Sequence, residues 1–495
     1  MSRAKELFST QVPSTKNRDG YPAYERSLEE QYVQTLLSNT IDNTFYADSE
    51  KLLKEANEMH DLMLEKDPEF AAKALVFARN KGFMRLQPIF GLVKLSSVST
   101  DLFAKVFNKV ILIPSDLQDF FTILEGQGRG QGGRAIKRQA ANFLNSISEY
   151  WAIKYNGSGR GYSLTDIIKT VHPKPVNAKQ EAIFAYLAGR EYDEAQVPQI
   201  SAFESLKKTT KTRERIALIE KGKLPHEVVT GVIKPDNKIW TAILHQMPIF
   251  ALLRNLNTLD RAGVIDENKE YIRDVLNDPE RLAKSKILPF RFVTAFHQID
   301  NSWLKDVLRL AVELTFNNLP DIDGKTAVFL DVSGSMEGNY LRTGSVFALA
   351  LYKKTNGKGI FWTFDTEVYD PKPSMYDSIL TQAENIVALG GTDTGAPVRK
   401  LRSDNILVDN IIIITDEQQN TGSPFYEELK RYRNSINADT KAFIIDISSY
   451  RSAMVPANDK NTHYIYGWSE TVLDYISMSV KGYFSMVNDI KKIEI

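Results

Sequence analysis

Before Pro320 the apolar positions recur every three or four residues. Leu52, Leu53, Ala56, Met59, Leu62 and Met63 form one stripe, and Phe70, Ala74, Leu75, Phe77 and Ala78 form the next. This spacing places each set on one face of an α-helix. Between the two stripes, Asp67-Pro68 reads as an N-cap followed by proline at the first helical position. The same period predicts helices over 115–124, 135–155, 177–187, 238–256, 270–276 and 303–316, while strand-like alternation is scarce. Helices joined by short polar or proline-containing connections predict stacked antiparallel pairs, an α-solenoid. No strict repeat is visible, so the pairs would be divergent, and an irregular all-α domain fits the same periodicity.

After Pro320 the pattern changes to alternating strands and helices. Apolar runs at 325–330, 359–364, 410–414 and 441–447 predict strands. Helices are expected over 340–354, 374–389 and 424–435, with a last one from 471. Such alternation predicts a parallel sheet covered on both faces, with ligands at the carboxyl ends of its strands. The expected organisation is α + α/β: a helical domain over 1–319 and a sheet domain over 320–495.

Composition narrows the function classes. The chain has 495 residues, 43% hydrophobic and 25% charged, which excludes a long disordered chain. That length suggests two to four domain-sized units. It has no cysteine, which excludes disulfides, Cys-ligated zinc, thiol nucleophiles and iron–sulfur clusters. Lys+Arg and Asp+Glu are both 62, so no uniformly basic coat exists, although local patches remain open. The N-terminus lacks the apolar core of a signal peptide. No apolar run approaches the roughly 20 residues of a membrane span. A cytoplasmic protein is the simplest expectation. The six histidines are dispersed, with no pair at ligand spacing and no nucleophile–base motif.

Three predicted strand ends or loops carry short oxygen-bearing side chains. They are Asp331-Val332-Ser333-Gly334-Ser335, Gly390-Gly391-Thr392-Asp393-Thr394 and Thr415-Asp416. Hydroxyls and carboxylates converging at one sheet edge suit a hard divalent cation. With so few carboxylates, that cation would keep waters or accept an acidic group from a partner. The set resembles the metal-ion-dependent adhesion site (MIDAS) of a von Willebrand factor A domain, whose pattern is DxSxS, a distant Thr and a distant Asp. The resemblance implies that Asp331, Ser333, Ser335, Thr392 and Asp416 bind a divalent cation, with Mg²⁺ the expected one.

The second candidate lies between Gly126 and Gln180. Arg129, Arg134, Lys137, Arg138, Lys154, Arg160, Lys169, Lys174 and Lys179 are opposed only by Glu149 and Asp166, a local excess of nine minus two, or plus seven. This is a plausible footprint for a polyanion. Gly126 to Gly133 contains five glycines and ends where a helix is predicted to start, and such a helix N-terminus favours phosphate. Arg134, Lys137 and Arg138 fall on one helix face. Tyr150, Trp151, Tyr155 and Tyr162 could stack unpaired bases. The alternatives stay open here: a basic run is often a solvated face, and Trp151 and Tyr155 at helical spacing fit core packing. The octet is neither a nucleotide P-loop nor a dinucleotide fingerprint.

Read together, the segments resemble the Ro ribonucleoprotein (TROVE) family. The similarity runs through Asn17-Arg18-Asp19-Gly20-Tyr21, Thr44-Phe45-Tyr46, Gly130 to Ala141, Ile167 to Pro175, Trp240 to Leu256 and Leu288-Pro289-Phe290. The resemblance implies a ring of HEAT-like helical pairs closed by the A domain. It implies binding of Y RNAs and other small structured RNAs, and of single-stranded 3′ ends of misfolded or processed RNAs. It places Arg129, Arg134, Lys137, Arg138, Lys154, Arg160, His172 and Lys174 among the RNA contacts. It further implies a monomer without catalytic activity that works beside polynucleotide phosphorylase or another exoribonuclease. The competing expectation is a protein–protein adhesion scaffold acting through the A-domain metal.

Overall fold

The computed structural model describes residues 13–39, 49–157, 161–285, 287, 289–317, 322–448, 450, 452–456, 459, 461–467 and 486–495. The helix expected from 471 lies outside them. The chain forms two compact units. One gathers residues from Met1–Gln87, Leu288–Val293 and Phe316–Glu494; the other is Pro88–Ile287 with Thr294–Thr315 and Ile495. The compact units therefore do not follow the change of pattern at Pro320, because the N-terminal residues pack with the sheet. Among the described residues, no helix is long and apolar enough to cross a membrane.

In the first unit, strands β1 (Thr15–Lys16) and β2 (Pro22–Glu25) form a hairpin. The sheet strands are β3 (Thr326–Asp331), β4 (Ile360–Phe364), β5 (Val368–Tyr369), β6 (Asn410–Thr415) and β7 (Lys441–Asp446). After them come β8 (Ser452–Ala453) and β9 (Thr462–Tyr466). The six-stranded sheet has the order β5-β4-β3-β6-β7-β9, all parallel except the β4–β5 edge pair. Every residue of β3 and β6 is buried, as continuous apolar runs at the centre of a doubly covered sheet require. The core under it includes Phe329, Trp362, Val398, Ile413, Leu429 and Tyr432. Strand β9 was not expected from the sequence; β8 pairs instead with β2, making a small three-stranded sheet with the hairpin.

The helix expected over 374–389 shrinks to Ile379–Ala383. Gln382 accounts for part of this: its side chain bonds the Ser374 N–H at 2.7 Å and the Ser374 carbonyl at 3.0 Å, capturing backbone groups a longer helix would use. Beyond it, the Leu389 N–H donates to the Val332 carbonyl at 2.6 Å, so tertiary pairing overrides local propensity.

The second unit is helical. Helices Thr100–Val110 and Pro114–Gly126 bury Phe103, Phe107, Phe120 and Phe121, whose rings meet mostly edge to face. The single helix expected over 135–155 is two, Arg134–Leu144 and Glu149–Tyr155, because Ser148 caps the second by accepting the Trp151 N–H. The helix expected over 238–256 likewise divides into Asn237–Leu244 and Ile249–Arg261, with Pro248 at the N-cap.

Candidate functional site

The carboxyl edge of the large sheet is lined with acids. Strands β4, β3, β6 and β7 are neighbours, and Asp365, Asp331, Asp416 and Asp446 stand at or just after their ends. From β3 the chain passes to β4 on one side and later to β6 on the other, so the β3–β6 edge is where such sheets open a crevice. Asp331 and Asp416 sit there.

Asp331, Ser333, Ser335, Thr392 and Asp416 are all buried. Asp331 accepts the Ser333 N–H at 2.9 Å and the Thr415 hydroxyl at 2.6 Å. The Ser333 and Ser335 hydroxyls are 3.3 Å apart. The Gly334 N–H donates to the Gly390 carbonyl at 2.9 Å, which ties the Asp331–Ser335 loop to the loop of Thr392. That second loop depends on its glycines: a Cβ on Gly395 would lie 2.0 Å from the Ser423 carbonyl oxygen. Burial pushes Asp331 up, against hydrogen bonds from Ser333 and Thr415. Burial, then the Asp331 charge, pushes Asp416 up to about 7, while Ser335 and the Gln418 N–H oppose the shift. The Oδ2 of Asp416 is buried without a hydrogen-bond partner among the described residues. Two close, dry carboxylates, a hydroxyl pair and an orphaned carboxylate oxygen are a donor set that could hold a hard divalent cation. Among the described residues no group of three or more His, Cys, Asp or Glu is gathered as a transition metal would need, so the hydroxyls are indispensable to such a site.

The other two acids find their hydrogen-bond partners internally. Asp365 accepts N–H groups of Glu367 and Gly390 and the Tyr369 hydroxyl; these outweigh its burial and lower it. Asp446 meets Arg26, from the end of β2, at 3.0 Å and Gln34 at 2.7 Å. Arg26 also pairs with Glu417, donates to the Tyr450 carbonyl at 3.2 Å and lies over the rings of Tyr464 and Tyr466. Burial works against the guanidinium charge, but Glu417 and its other neighbours hold Arg26 well above its usual value. One cation between two buried carboxylates neutralises one of them, and burial together with the Glu417 charge pushes Asp446 up. Arg26, Gln34 and Glu417 were absent from the sequence reading. Only the acids at successive strand ends were a readable signal.

In the helical unit the basic residues fall into two groups. Arg134 and Arg138 are exposed on helix Arg134–Leu144, and Lys137 is half-buried near Gln131. Gly133 offers that helix no side-chain cap, and its first turn holds no acid. Gly128, Gly130 and Gly132 have φ of +70°, +58° and +71°, the left-handed region that makes glycine the suitable residue. Ser96, Thr100, Arg129 and the first turn of the helix line an open groove of about 500 Å³. At the other end of the helix, Asn145 donates to the Lys174 carbonyl at 3.0 Å and accepts the Val176 N–H at 3.2 Å. This fastens the 172–176 loop to the helix. His172 and Lys174 are both exposed there, His172 in a left-handed conformation closing helix Leu164–Val171. Arg134, Lys137 and Arg138 thus lie on one helix, and His172 and Lys174 lie on the loop fastened to its C-terminal end.

Arg129 and Lys154 are engaged internally. Arg129 donates to the Val93 carbonyl at 2.8 Å and the Ser96 hydroxyl at 2.7 Å, and burial lowers it. Lys154 pairs with Glu227 at 3.3 Å and lies over Tyr150 and Tyr155. Arg160 lies outside the described residues. Trp151 stacks on Phe143 at 6.1 Å, the packing reading of that aromatic. Glu149 is buried, accepting the Gln199 and Ile200 N–H groups at 2.7 and 3.2 Å, so one of the two acids of the basic stretch is a structural cap.

The helical unit and the parallel sheet are the two kinds of structure that the comparisons match. A family model for the TROVE domain matches residues 233–339, and one for the Ro60 vWA domain matches 325–479. Both regions are thus similar to the domains of Ro proteins. The chain is homologous to the RNA-binding protein RO60 of Deinococcus radiodurans, 21% identical over 509 residues that cover 94% of this chain and 95% of that one. The crystal structure of the Deinococcus radiodurans RO (RSR) protein shares the fold, with a TM-score of 0.69 at 19% identity over 92% of this chain and 100% of that chain.

Proposed function

We propose that this chain is a non-catalytic RNA-binding protein whose primary RNA contact is the face formed by Arg134, Lys137, Arg138, His172 and Lys174. One observation carries the reading: exposed cations follow a glycine turn whose helix start has no cap, so charge and unsatisfied N–H groups point to phosphate together. The name of the Deinococcus relative, an RNA-binding protein, supports it. The ligands proposed are Y RNA and other small structured RNAs, and single-stranded 3′ ends, in a cytoplasmic quality-control role as a monomer beside an exoribonuclease such as polynucleotide phosphorylase. The test is a filter-binding salt titration of a 3′-tailed RNA. Arg134→Glu, Lys137→Glu and Arg138→Glu together should weaken binding on the order of 100-fold and reduce the salt slope by about one per lost phosphate contact. A folded triple variant that binds as tightly as wild type would make this face merely solvated.

At the sheet edge we propose a Mg²⁺ site formed by Asp331, Ser333, Ser335, Thr392 and Asp416. The orphaned oxygen of Asp416 is its support. When bound, the cation would organise these oxygens and polarise a group docking on it. A metal-dependent protein-capture role for this edge is the second reading, and the same observation favours it.

A further inference from the structure

Helices Ala396–Ser403 and Phe425–Ser435 pack against each other in the sheet-bearing unit. Three arginines on them, Arg399, Arg402 and Arg431, converge on one carboxylate. Arg431 Nη1 donates to Glu428 Oε1 at 2.7 Å, Arg402 Nη2 donates to Glu428 Oε2 at 3.2 Å, and Arg399 Nη1 stands 3.9 Å from Glu428 Oε1. Arg399 Nη2 also donates to Asp393 Oδ2 at 2.6 Å. Both acids are buried, and neighbouring glycines pack closely on them: a Cβ on Gly395 would lie 3.0 Å from Glu428 Cγ, and one on Gly422 1.9 Å from Asp393 Oδ2. The arginines are not buried; the side chains of Arg399, Arg402 and Arg431 are 39%, 35% and 56% exposed.

We propose that Arg399, Arg402 and Arg431 form a clamp for a phosphate monoester or free phosphate. A guanidinium carries five N–H donors. Among the described residues, each of these three places a single hydrogen bond. Arg402 Nε, which shares a fork with the bonded Nη2, has no hydrogen-bond partner among them, so Glu428 leaves that fork half filled. Arg433, on the same helix as Arg431, shows the contrast of a structural arginine. Its side chain is 12% exposed and donates from Nε to the Thr440 carbonyl at 2.9 Å, from Nη1 to Asp459 at 2.6 Å and from Nη2 to the Asn461 carbonyl at 3.0 Å. In the clamp, three cations face two buried carboxylates, which leaves one positive charge and most of the donors unspent. A terminal phosphate offers three oxygens and up to two negative charges to such planar forks. The buried acids hold the guanidiniums in place beforehand, which lowers the ordering cost of binding. An RNA end and inorganic phosphate both supply this chemistry. The clamp lies outside the basic stretch of the helical unit and does not rest on the reading of that stretch.

The test is calorimetry of the full chain in Mg²⁺-free buffer, titrated with inorganic phosphate and with a short single-stranded RNA carrying a 5′-phosphate or a 5′-hydroxyl. Wild type is compared with Arg431→Gln and Lys430→Gln, with melting curves as a control. Lys430→Gln removes the same charge one residue away, from a side chain paired with Glu427 at 2.8 Å. Arg431→Gln leaves Glu428 paired with Arg402. The expected result is that wild type binds inorganic phosphate and that Arg431→Gln weakens this about 10–100-fold, the loss of one hydrogen bond to a charged group. Lys430→Gln should change it about fivefold at most. A preference of wild type for the phosphorylated RNA that Arg431→Gln lacks makes the ligand an RNA end; phosphate binding without that preference makes it free phosphate, and either result supports the clamp. Wild type that neither binds millimolar phosphate nor prefers the phosphorylated RNA overturns it. So does an equal loss in Arg431→Gln and Lys430→Gln, which is the mark of a diffuse surface charge. If Arg431→Gln melts lower than wild type, Arg431→Lys decides: it keeps the charge but not the fork, so it should still bind phosphate several-fold more weakly, and unchanged affinity overturns the clamp.

Discussion

Replacing Arg26 with Ala should destabilise the sheet-bearing unit severely. Arg26 is 5% exposed, and its guanidinium serves Glu417, Asp446 and the Tyr450 carbonyl at once. Truncation leaves two buried carboxylates facing each other without a cation. Breaking a buried pair from one side typically costs about 3–5 kcal/mol. At about 2–4 °C per kcal/mol for a unit of this size, melting should fall by roughly 6–20 °C. The sign with pH follows from Asp446. A carboxyl held above its unfolded value destabilises when ionised; the penalty is absent below the unfolded pKa of about 3.9 and complete above the folded one. The gap between Arg26→Ala and wild type should therefore narrow as pH is lowered from neutrality. The assay is thermal denaturation by circular dichroism at several pH values. It should include the triple variant Arg26→Met, Glu417→Gln, Asp446→Asn, which removes the charges together and should recover much of the loss. An Arg26→Ala protein that melts within about 2 °C of wild type would refute the ion-pair argument, since that shift corresponds to about 1 kcal/mol or less.

Arg129→Met should lower stability by about 1–3 kcal/mol, through the unpaired Val93 carbonyl and Ser96 hydroxyl, and should change RNA affinity less than Arg134→Glu alone; melting and filter binding separate the two effects. Asp331→Ala should abolish Mg²⁺ binding in calorimetry while leaving the helical unit folded, and neither it nor wild type should cleave bound RNA on a gel. His172→Ser should lose a specific structured RNA while keeping more of the general single-strand affinity, measured as the ratio of the two dissociation constants. Glu227 is held at about 2: burial would raise it, but His226 and Lys154 outweigh this. Its stabilising effect is present above the usual carboxylate range and is lost as pH falls toward 2, so Glu227→Gln should differ from wild type at pH 7 and converge with it in acid.

The clustered sheet-edge residues were legible because Asp331, Ser333, Ser335 and Asp416 stand at or just after the ends of apolar strands, and Thr392 stands in a glycine-marked loop. The basic helix was legible for the same reason: Arg134, Lys137 and Arg138 share a face by spacing alone. What spacing could not reveal was which cations already have partners. Arg129 binds a carbonyl 36 positions away, and Lys154 meets Glu227 across the helical unit. The helix breaks at 145–148 and at Pro248 were hidden because apolar periodicity continues through them. The N-terminal hairpin was hidden altogether. Its strands are two and four residues long, and the other neighbour of β2, Ser452–Ala453, comes from far along the chain.

That last separation bears on how the protein is made. Arg26 meets groups 391 to 424 positions downstream, so its partners do not exist while most of the chain is being translated. At about 5–20 residues per second, the N-terminal segment waits roughly 20–80 s for the strand ends it must clasp. During that interval Tyr24, Tyr32, Val33, Leu36 and Leu37, all buried in the finished unit, have no sheet to cover them. The intervening helical stretch can begin folding on the ribosome from contacts within itself. The sheet-bearing unit is completed only after its carboxyl-terminal strands emerge, which makes the waiting N-terminal segment a natural client for chaperones and the closing of the hairpin a late step in biogenesis.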